Sequence, residues 1–482
     1  MNFKMVTSCP QNVDTVVRYM KYDTAPTFSC PALQEAYETA LGGDDPDFKA
    51  GDVKSYRIRL EDHFINLILV GFDCSLKEKA LPIFRKATLK VGVLLNELKS
   101  KVVFVDNFTN LHFMEKDEIA RQFASTLPLC DYAFDKYMEK KAGYTDKEIC
   151  VFANEDIDAA LTEGANIAKG ICIARDLVNE PAEVLTPAEL ANRTAAFGKQ
   201  YGFEVEVFDK AACKEFGMNA FLAVGRASVN EPKLIVMRYN GGEGTAKGVI
   251  GKGLCYDSGG LFLKQGAGMA AMKGDMAGAA AVIGAMCSIA MNRLPKNVVT
   301  VVAACENLVD GAGYRNGDIV HTMAGKSVFV ASTDAEGRLT LADAMTYMIR
   351  KEQVDSIIEL STLTGSCANF FGNVCCGVLT TDDEMYSKIE ANSDISGEKY
   401  WRLPYYEEYR EFIKSDIADL YNSSSNGAGG VCAGLFLDEF REDKPFMHLD
   451  IAGVTFAKNK ENGYPKGGTG FGVKTVYNYI KG

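Results

Sequence analysis

Apolar and polar positions along this chain switch between two periods, and each switch marks an element. An unbroken apolar run from Ile65 to Val70 predicts a buried strand. Helical periodicity from Lys77 to Leu98 follows, then a strand at Lys101 to Val105 and a helix from Glu115 to Lys140. Residues 1–150 therefore read as a small N-terminal α/β domain. A helical pattern from Glu155 to Leu177 runs into Asn179-Glu180-Pro181, where the proline stops it, so residues 151–180 read as a connecting helix. Beyond Thr186, strand-like runs at Leu234 to Met237, Val298 to Val302, Ser356 to Leu360 and Phe446 to Ile451 alternate with helices. That alternation predicts a larger α/β domain over residues 181–482, with a mixed, mostly parallel sheet flanked by helices.

The uncharged stretch from Met276 to Asn292 is rich in Ala and Gly and falls just short of a bilayer span, which predicts a buried helix and no membrane partner. The first thirteen residues lack the apolar core of a secretory signal. Fourteen cysteines without a CxxC pair point to free thiols in a reducing, cytoplasmic setting. A net charge of -12, with no basic run, makes nucleic acid an unlikely partner. Four histidines (His63, His112, His321 and His448), none in an HExxH arrangement, mean that any metal site must lean on carboxylates.

The charges that stand in unusual settings fall between Lys252 and Arg338. Lys252 and Asp257 lie within GKGLCYDSGG, Lys264 follows seven residues after Asp257, and Asp275 directly precedes the Ala/Gly-rich helix, where a carboxylate can cap free N–H groups. In Thr333-Asp334-Ala335-Glu336-Gly337-Arg338, an extended backbone would place Asp334, Glu336 and Arg338 on one face. Four carboxylates together hold more negative charge than a protein buries unless divalent cations neutralise it. Two such ions, about 3.5 to 4 Å apart, would polarise a carbonyl and activate water, which peptide hydrolysis needs in the absence of a Ser or Cys nucleophile. A lysine joins such a site only as the neutral amine, with the ions' own charge depressing its pKa from about 10.4.

The segments Val249 to Val282 and Thr333 to Ala342 resemble the leucyl aminopeptidases, whose signature NTDAEGRL is nearly matched by STDAEGRL at Ser332 to Leu339. The likeness continues in order through ARDLVNEP (174–181), ACEN (304–307), YRNGD (314–318), TLTG (362–365), WRLP (401–404), SDIADL (415–420) and HLDIAG (448–453). The resemblance implies a metal-dependent aminopeptidase that releases N-terminal amino acids, leucine-like ones preferred, from peptides. It implies that Lys252, Asp257, Asp275 and Glu336 hold a tighter Zn or Mn ion, and that Asp257, Asp334 and Glu336 hold a more exchangeable one. By the same resemblance Lys264 faces the oxyanion and Arg338 holds a bicarbonate acting as general base. Met272, Thr362, Leu363 and Gly365 would line the substrate pocket, and the chain would assemble as a homohexamer, a dimer of trimers. Three positions depart from the family: Ser332 for Asn, Asn316 for Pro, and Gln265-Gly266 where Pro is common.

Each charged residue also has a plainer reading. Lys252 and Lys264 alone would be surface lysines, Asp275 a helix cap, and Asp334, Glu336 and Arg338 an ion-pair network; their joint occurrence favours a site. His448, in an apolar strand, reads as a satisfied core residue. The GKS at Gly325 to Ser327 fails the Walker pattern, because Val320 stands where glycine is required. A two-metal phosphohydrolase would need more cations than Lys264 and Arg338 around its phosphate, and a DNA-binding scaffold is at odds with the net acidity.

Overall fold

A computed structural model of the chain describes residues 1–22, 24–42, 48–73, 77–106, 111, 113–459 and 466–482; His112 lies outside the described residues. The chain forms two compact units, Met1–Lys169 and Gly170–Lys458 with Gly467–Gly482. The dividing point falls inside the helix Asp158–Asn179.

The first unit is built on strands β1 (Asn2–Val6), β2 (Thr15–Lys21), β3 (Val53–Leu60), β4 (His63–Phe72), β5 (Val102–Asp106) and β6 (Glu148–Phe152), in the order β1-β6-β5-β2-β4-β3. Every pairing is parallel except that of the edge strand β3 with β4. The apolar run at Ile65 is β4, and the following periodic segment is the helix Lys77–Glu97. The helix expected from Glu115 to Lys140 is much shorter. It spans Lys116–Thr126 and tightens into a 3-10 turn at Leu127–Asp131, because Pro128 has no N–H to continue the α-helical ladder.

The second unit holds β7 (Glu204–Phe208), β8 (Lys233–Asn240), β9 (Lys247–Gly251), β10 (Gly253–Asp257), β11 (Asn297–Asn307), β12 (Ile319–His321), β13 (Ser327–Phe329), β14 (Ile357–Ser361), β15 (Cys376–Leu379), β16 (Tyr400–Arg402), β17 (Leu420–Tyr421) and β18 (Phe446–Asp450). The main sheet runs β16-β15-β18-β14-β9-β11-β8-β7, with β10 beside β11. Its centre, β18-β14-β9-β11, is parallel and apolar, with antiparallel strands outside it. The mixed, mostly parallel α/β architecture is therefore as expected. A small sheet, β12-β13-β17, stands apart.

The helix Ala277–Met291 lies against β9 and β14, and all of Ala277 to Ala290 is buried. With the 3-10 turn before it, the segment Gly268–Met291 is long and apolar enough to cross a membrane, but 89% of its apolar window is packed inside the domain, as the sequence predicts. Small residues allow this contact. A methyl on Gly278 would lie 2.2 Å from the Leu360 carbonyl oxygen, and one on Gly251 would lie 2.6 Å from that of Gly278. Helix and sheet backbones thus approach each other at a distance that only glycine permits.

Candidate metal centre

Parallel strands end together, and the chain leaves them at the carboxyl edge where ligands gather in open α/β sheets. Lys252 sits in the single-residue break between β9 and β10, and Asp257 ends β10. Thr362 and Leu363 follow β14. Asp334 lies in the loop after β13, and Glu336 is the first residue of the helix Glu336–Tyr347, which also carries Arg338.

Asp334, Glu336 and Arg338 do not share one extended face, contrary to the expectation from an extended backbone. The backbone turns at Asp334, whose N–H meets the Ser332 hydroxyl at 3.2 Å, and is helical from Glu336 onward. Residues two apart on a helix point to opposite sides. Glu336 accordingly joins the carboxylate cluster, while Arg338 donates to the carbonyl of Asn422. The cap expected at Asp275 is also absent. The helix begins at Ala277 without a side-chain cap, and the Asp275 carboxylate instead accepts the Thr362 hydroxyl at 2.7 Å and faces Lys252 Nζ at 2.8 Å.

The five charged side chains assigned to metal binding converge. Lys252 Nζ lies 2.8 Å from both Asp275 Oδ2 and Glu336 Oε1, and it donates to the Thr362 carbonyl at 3.1 Å. Lys264 Nζ lies 2.8 Å from Asp257 Oδ2 and also pairs with Asp334. Oxygens of Asp257, Asp334 and Glu336 all lie within 4.8 Å of one another. A methyl on Gly337 would lie 2.7 Å from Lys252 Cε, so the glycine of DAEGRL makes room for the lysine. Met272 is half-buried in the turn Gly266–Gly274 just before Asp275, and its carbonyl accepts the Asp275 N–H. Gly365 opens the helix Gly365–Phe371 with open space beside it. Of the residues expected to line the pocket, Thr362 meets the ligand set directly, through the Asp275 carboxylate and Lys252 Nζ.

The electrostatics show a cluster short of positive charge. Four carboxylates face two ammonium groups, which leaves two negative charges in excess. Burial, and then the charges of Glu336 and Asp275, push Asp257 up from the usual carboxylate range. Burial also raises Asp275, although Lys252 opposes it. Glu336 is held below its ordinary value, since Lys252 and Lys264 outweigh the effect of burial. Burial alone would lower Lys252, but Asp275, Glu336 and Asp257 raise it overall, so without cations it is a firmly held ammonium. Glu336 Oε2 is buried with no hydrogen-bond partner among the described residues. A buried, unpartnered carboxylate oxygen beside two others is what a divalent cation satisfies, and the donor set fits one.

Several residues outside the expected site set support the cluster, and they lie in the ACEN, YRNGD, STDAEGRL and HLDIAG segments. Asn307 Nδ2 bonds Asp257 Oδ1 at 2.8 Å and the Thr333 carbonyl at 2.9 Å, and Tyr314 donates to the same carbonyl. Thr333 donates to the Gly259 carbonyl and accepts the Phe262 N–H. Asp450 accepts the Thr364 hydroxyl at 2.7 Å and the Leu363 N–H at 3.3 Å, holding the loop after β14. Of the departures from the family, Asn316 donates to the Ala331 carbonyl, a bond the family's proline could not make, while Gln265 caps the 3-10 turn without a side-chain bond. Lys326 of the GKS segment pairs with Glu439.

A parallel-sheet domain with buried carboxylates and lysines at its carboxyl edge defines a metallohydrolase. The model of the "Cytosol aminopeptidase family, catalytic domain" matches residues 172–477, and the chain belongs to that family of metal-dependent exopeptidases. A "Probable cytosol aminopeptidase" from Clostridium perfringens is 42% identical over 440 residues, covering 89% of this chain and 88% of that protein. A protein of the same name from Fusobacterium nucleatum is 45% identical, covering 73% and 74%. Among solved structures, the bottromycin maturation enzyme BotP superposes with a TM-score of 0.85 at 28% identity, covering 97% of this chain and 99% of BotP. BotP has also been solved in complex with Mn, and that structure superposes with a TM-score of 0.84.

Proposed function

We propose that residues 181–482 carry out two-metal hydrolysis of the N-terminal peptide bond, with apolar, leucine-like first residues preferred. The observation that carries this reading is the convergence of Lys252, Asp257, Asp275, Asp334 and Glu336, with a buried Glu336 oxygen that has no hydrogen-bond partner among the described residues. Lys252, Asp257, Asp275 and Glu336 would hold the tighter ion and Asp257, Asp334 and Glu336 the more exchangeable one, so that Asp257 and Glu336 would serve both. Zn or Mn suits this set of oxygen ligands and one amine, and BotP in complex with Mn supports the choice. When bound, the ions polarise the scissile carbonyl, take the substrate's free amine and lower the pKa of water.

The chain's own groups supply the rest. Lys264 donates to the carbonyl oxygen as it becomes anionic, a role supported by its pairing with Asp257 and Asp334 beside the ligand set. Arg338 holds a bicarbonate as general base, which is supported by a buried guanidinium whose Nε has no hydrogen-bond partner among the described residues. Met272, Thr362, Leu363 and Gly365 receive the first side chain, the flexible thioether of Met272 tolerating several apolar shapes. The thirteen free cysteines among the described residues suit a cytoplasmic enzyme, and the homohexamer rests on the family resemblance. An aminoacyl nitroanilide assayed against a phosphoester, each with added Mn or Zn, tests the reading. Turnover of the phosphoester alone would replace it with a phosphohydrolase.

A further inference from the structure

The turn that carries Asp334 is gripped from outside by a residue that belongs to neither the ligand set nor the pocket. Asn422 follows β17, is fully buried, and reaches the turn through its side-chain amide. Its Nδ2 donates to the carbonyls of Ser332 at 2.6 Å and Ala335 at 3.2 Å. Its Oδ1 accepts the N–H groups of Ala331 at 2.9 Å and Ser332 at 3.2 Å. A primary amide has two donor hydrogens and two acceptor positions, and here all four are engaged by backbone on both sides of Asp334. The backbone of Asn422 is fixed in turn, since its N–H bonds the Phe329 carbonyl and its own carbonyl receives the Arg338 guanidinium.

This arrangement is asymmetric with respect to the cluster. Lys252, Asp257 and Asp275 stand at or beyond the ends of the main sheet's strands and of the 3-10 turn, where Thr362 and Asn307 brace them, and Glu336, assigned to both ions, is held by the helix Glu336–Tyr347 that it opens. Asp334 has no strand or helix of its own, and the loop that carries it is held on one side by Asn307 and Tyr314 through the Thr333 carbonyl and on the other by Asn422. Its position therefore depends on these contacts.

We propose that Asn422 is a positioning residue that holds Asp334 in place for the more exchangeable metal ion and has little influence on the tighter one. The proposal rests on the two-metal reading above. Residues that orient a metal ligand from behind typically change affinity about 10- to 100-fold when removed. The test is calorimetric titration of Mn2+ into the metal-free full chain, alongside circular dichroism and thermal melting. The parent should take up two equivalents in resolvable steps. Asn422→Ala should weaken the second step by about 10- to 100-fold and leave the first within about threefold. Asn422→Asp has nearly the same volume and keeps the acceptors but loses both donors, so it should show the same selective loss even if the alanine variant folds poorly. Asp334→Ala should remove that same step, and adding Asn422→Ala to it should change Mn2+ binding no further. Lower melting temperature with both steps intact, or equal weakening of both, would overturn the proposal and leave Asn422 as a brace of the fold. A parent that binds fewer than two equivalents would overturn the two-metal reading itself, and this proposal with it.

Discussion

The ammonium of Lys252 lies 2.8 Å from Glu336 Oε1, with the two side chains 3% and 2% exposed. A lysine so held donates its protons to carboxylates, yet as a metal ligand it must give one up. Cation binding therefore exchanges with protons in this cluster, and the ion pairs hold the ligand atoms close together beforehand.

Chelation should abolish aminopeptidase activity, and Zn, Mn or Co should restore it, because the site offers no protein nucleophile as an alternative. Acetylating the N-terminus of a peptide should block its cleavage, since an amide does not ligate a metal as an amine does. Turnover by exhaustively demetallated protein, or of the acetylated peptide, would contradict this reading.

Lys264→Ala should retain both metals, because Lys264 meets carboxylates as a partner and is assigned to the oxyanion. The loss of one such donor typically costs about 10² to 10³ in kcat. An interaction made mainly in the transition state lowers kcat and kcat/KM alike, so KM should move little. Steady-state kinetics with metal analysis decide the matter, and a parent-like kcat would remove Lys264 from the catalytic set.

Asp334→Ala should lower metal content by one equivalent after dialysis, whereas Glu336→Ala should lower it by two, since of these two residues only Glu336 is assigned to both ions. Elemental analysis showing equal losses would make the bridging assignment wrong.

Gly337→Ala should fold but lose metal and activity together. Its methyl would stand 2.7 Å from Lys252 Cε, 2.9 Å from Lys252 Nζ and 3.0 Å from Leu363 Cδ1. A buried lysine fixed by two carboxylates can relieve that overlap only by leaving them. Overpacking of this kind costs about 1–3 kcal/mol, which thermal melting would register, and unchanged metal content would show that the lysine adapts in place.

His448 and Glu359, opposite each other on β18 and β14, form a fully buried pair with Nδ1 2.5 Å from Oε2. Burial disfavours the imidazolium, but Glu359, helped by Asp450 and opposed by Arg338, raises its pKa above the usual value. The pair's stabilisation is therefore fully present below about pH 6.5 and lost as pH rises through the elevated folded value. Denaturation midpoints should fall across that range in the parent and stay flatter in His448→Gln, which should also be less stable by about 3–5 kcal/mol because Glu359 is left unpaired. Identical slopes in the two proteins would show that the pair does not titrate there.

His448 also shows the limit of local reading. Its apolar surroundings correctly predict a core position, but the expected satisfaction is only half met, since Nε2 has no partner. The partner that matters, Glu359, lies on a neighbouring strand far away in the chain.

Elements whose information is local were legible in the chain alone. The apolar period located β4, β8, β11, β14 and β18, proline ended the helix Asp158–Asn179, and small residues marked Ala277–Met291 as buried. The charged residues that cluster were legible too, because charges beside glycines and apolar strands have no inexpensive alternative to a compensated site. Tertiary structure alone decided how those charges are used. Asp275 serves Thr362 and Lys252 and caps no helix, and the Asp334 loop turns into a helix that separates Glu336 from Arg338. Asn307, Asn422 and Asp450 act through hydrogen bonds to backbone distant in sequence. A neutral amide or a buried carboxylate that reads another segment's backbone leaves no period and no charge pattern, so its role exists only once the strands that carry it are brought side by side.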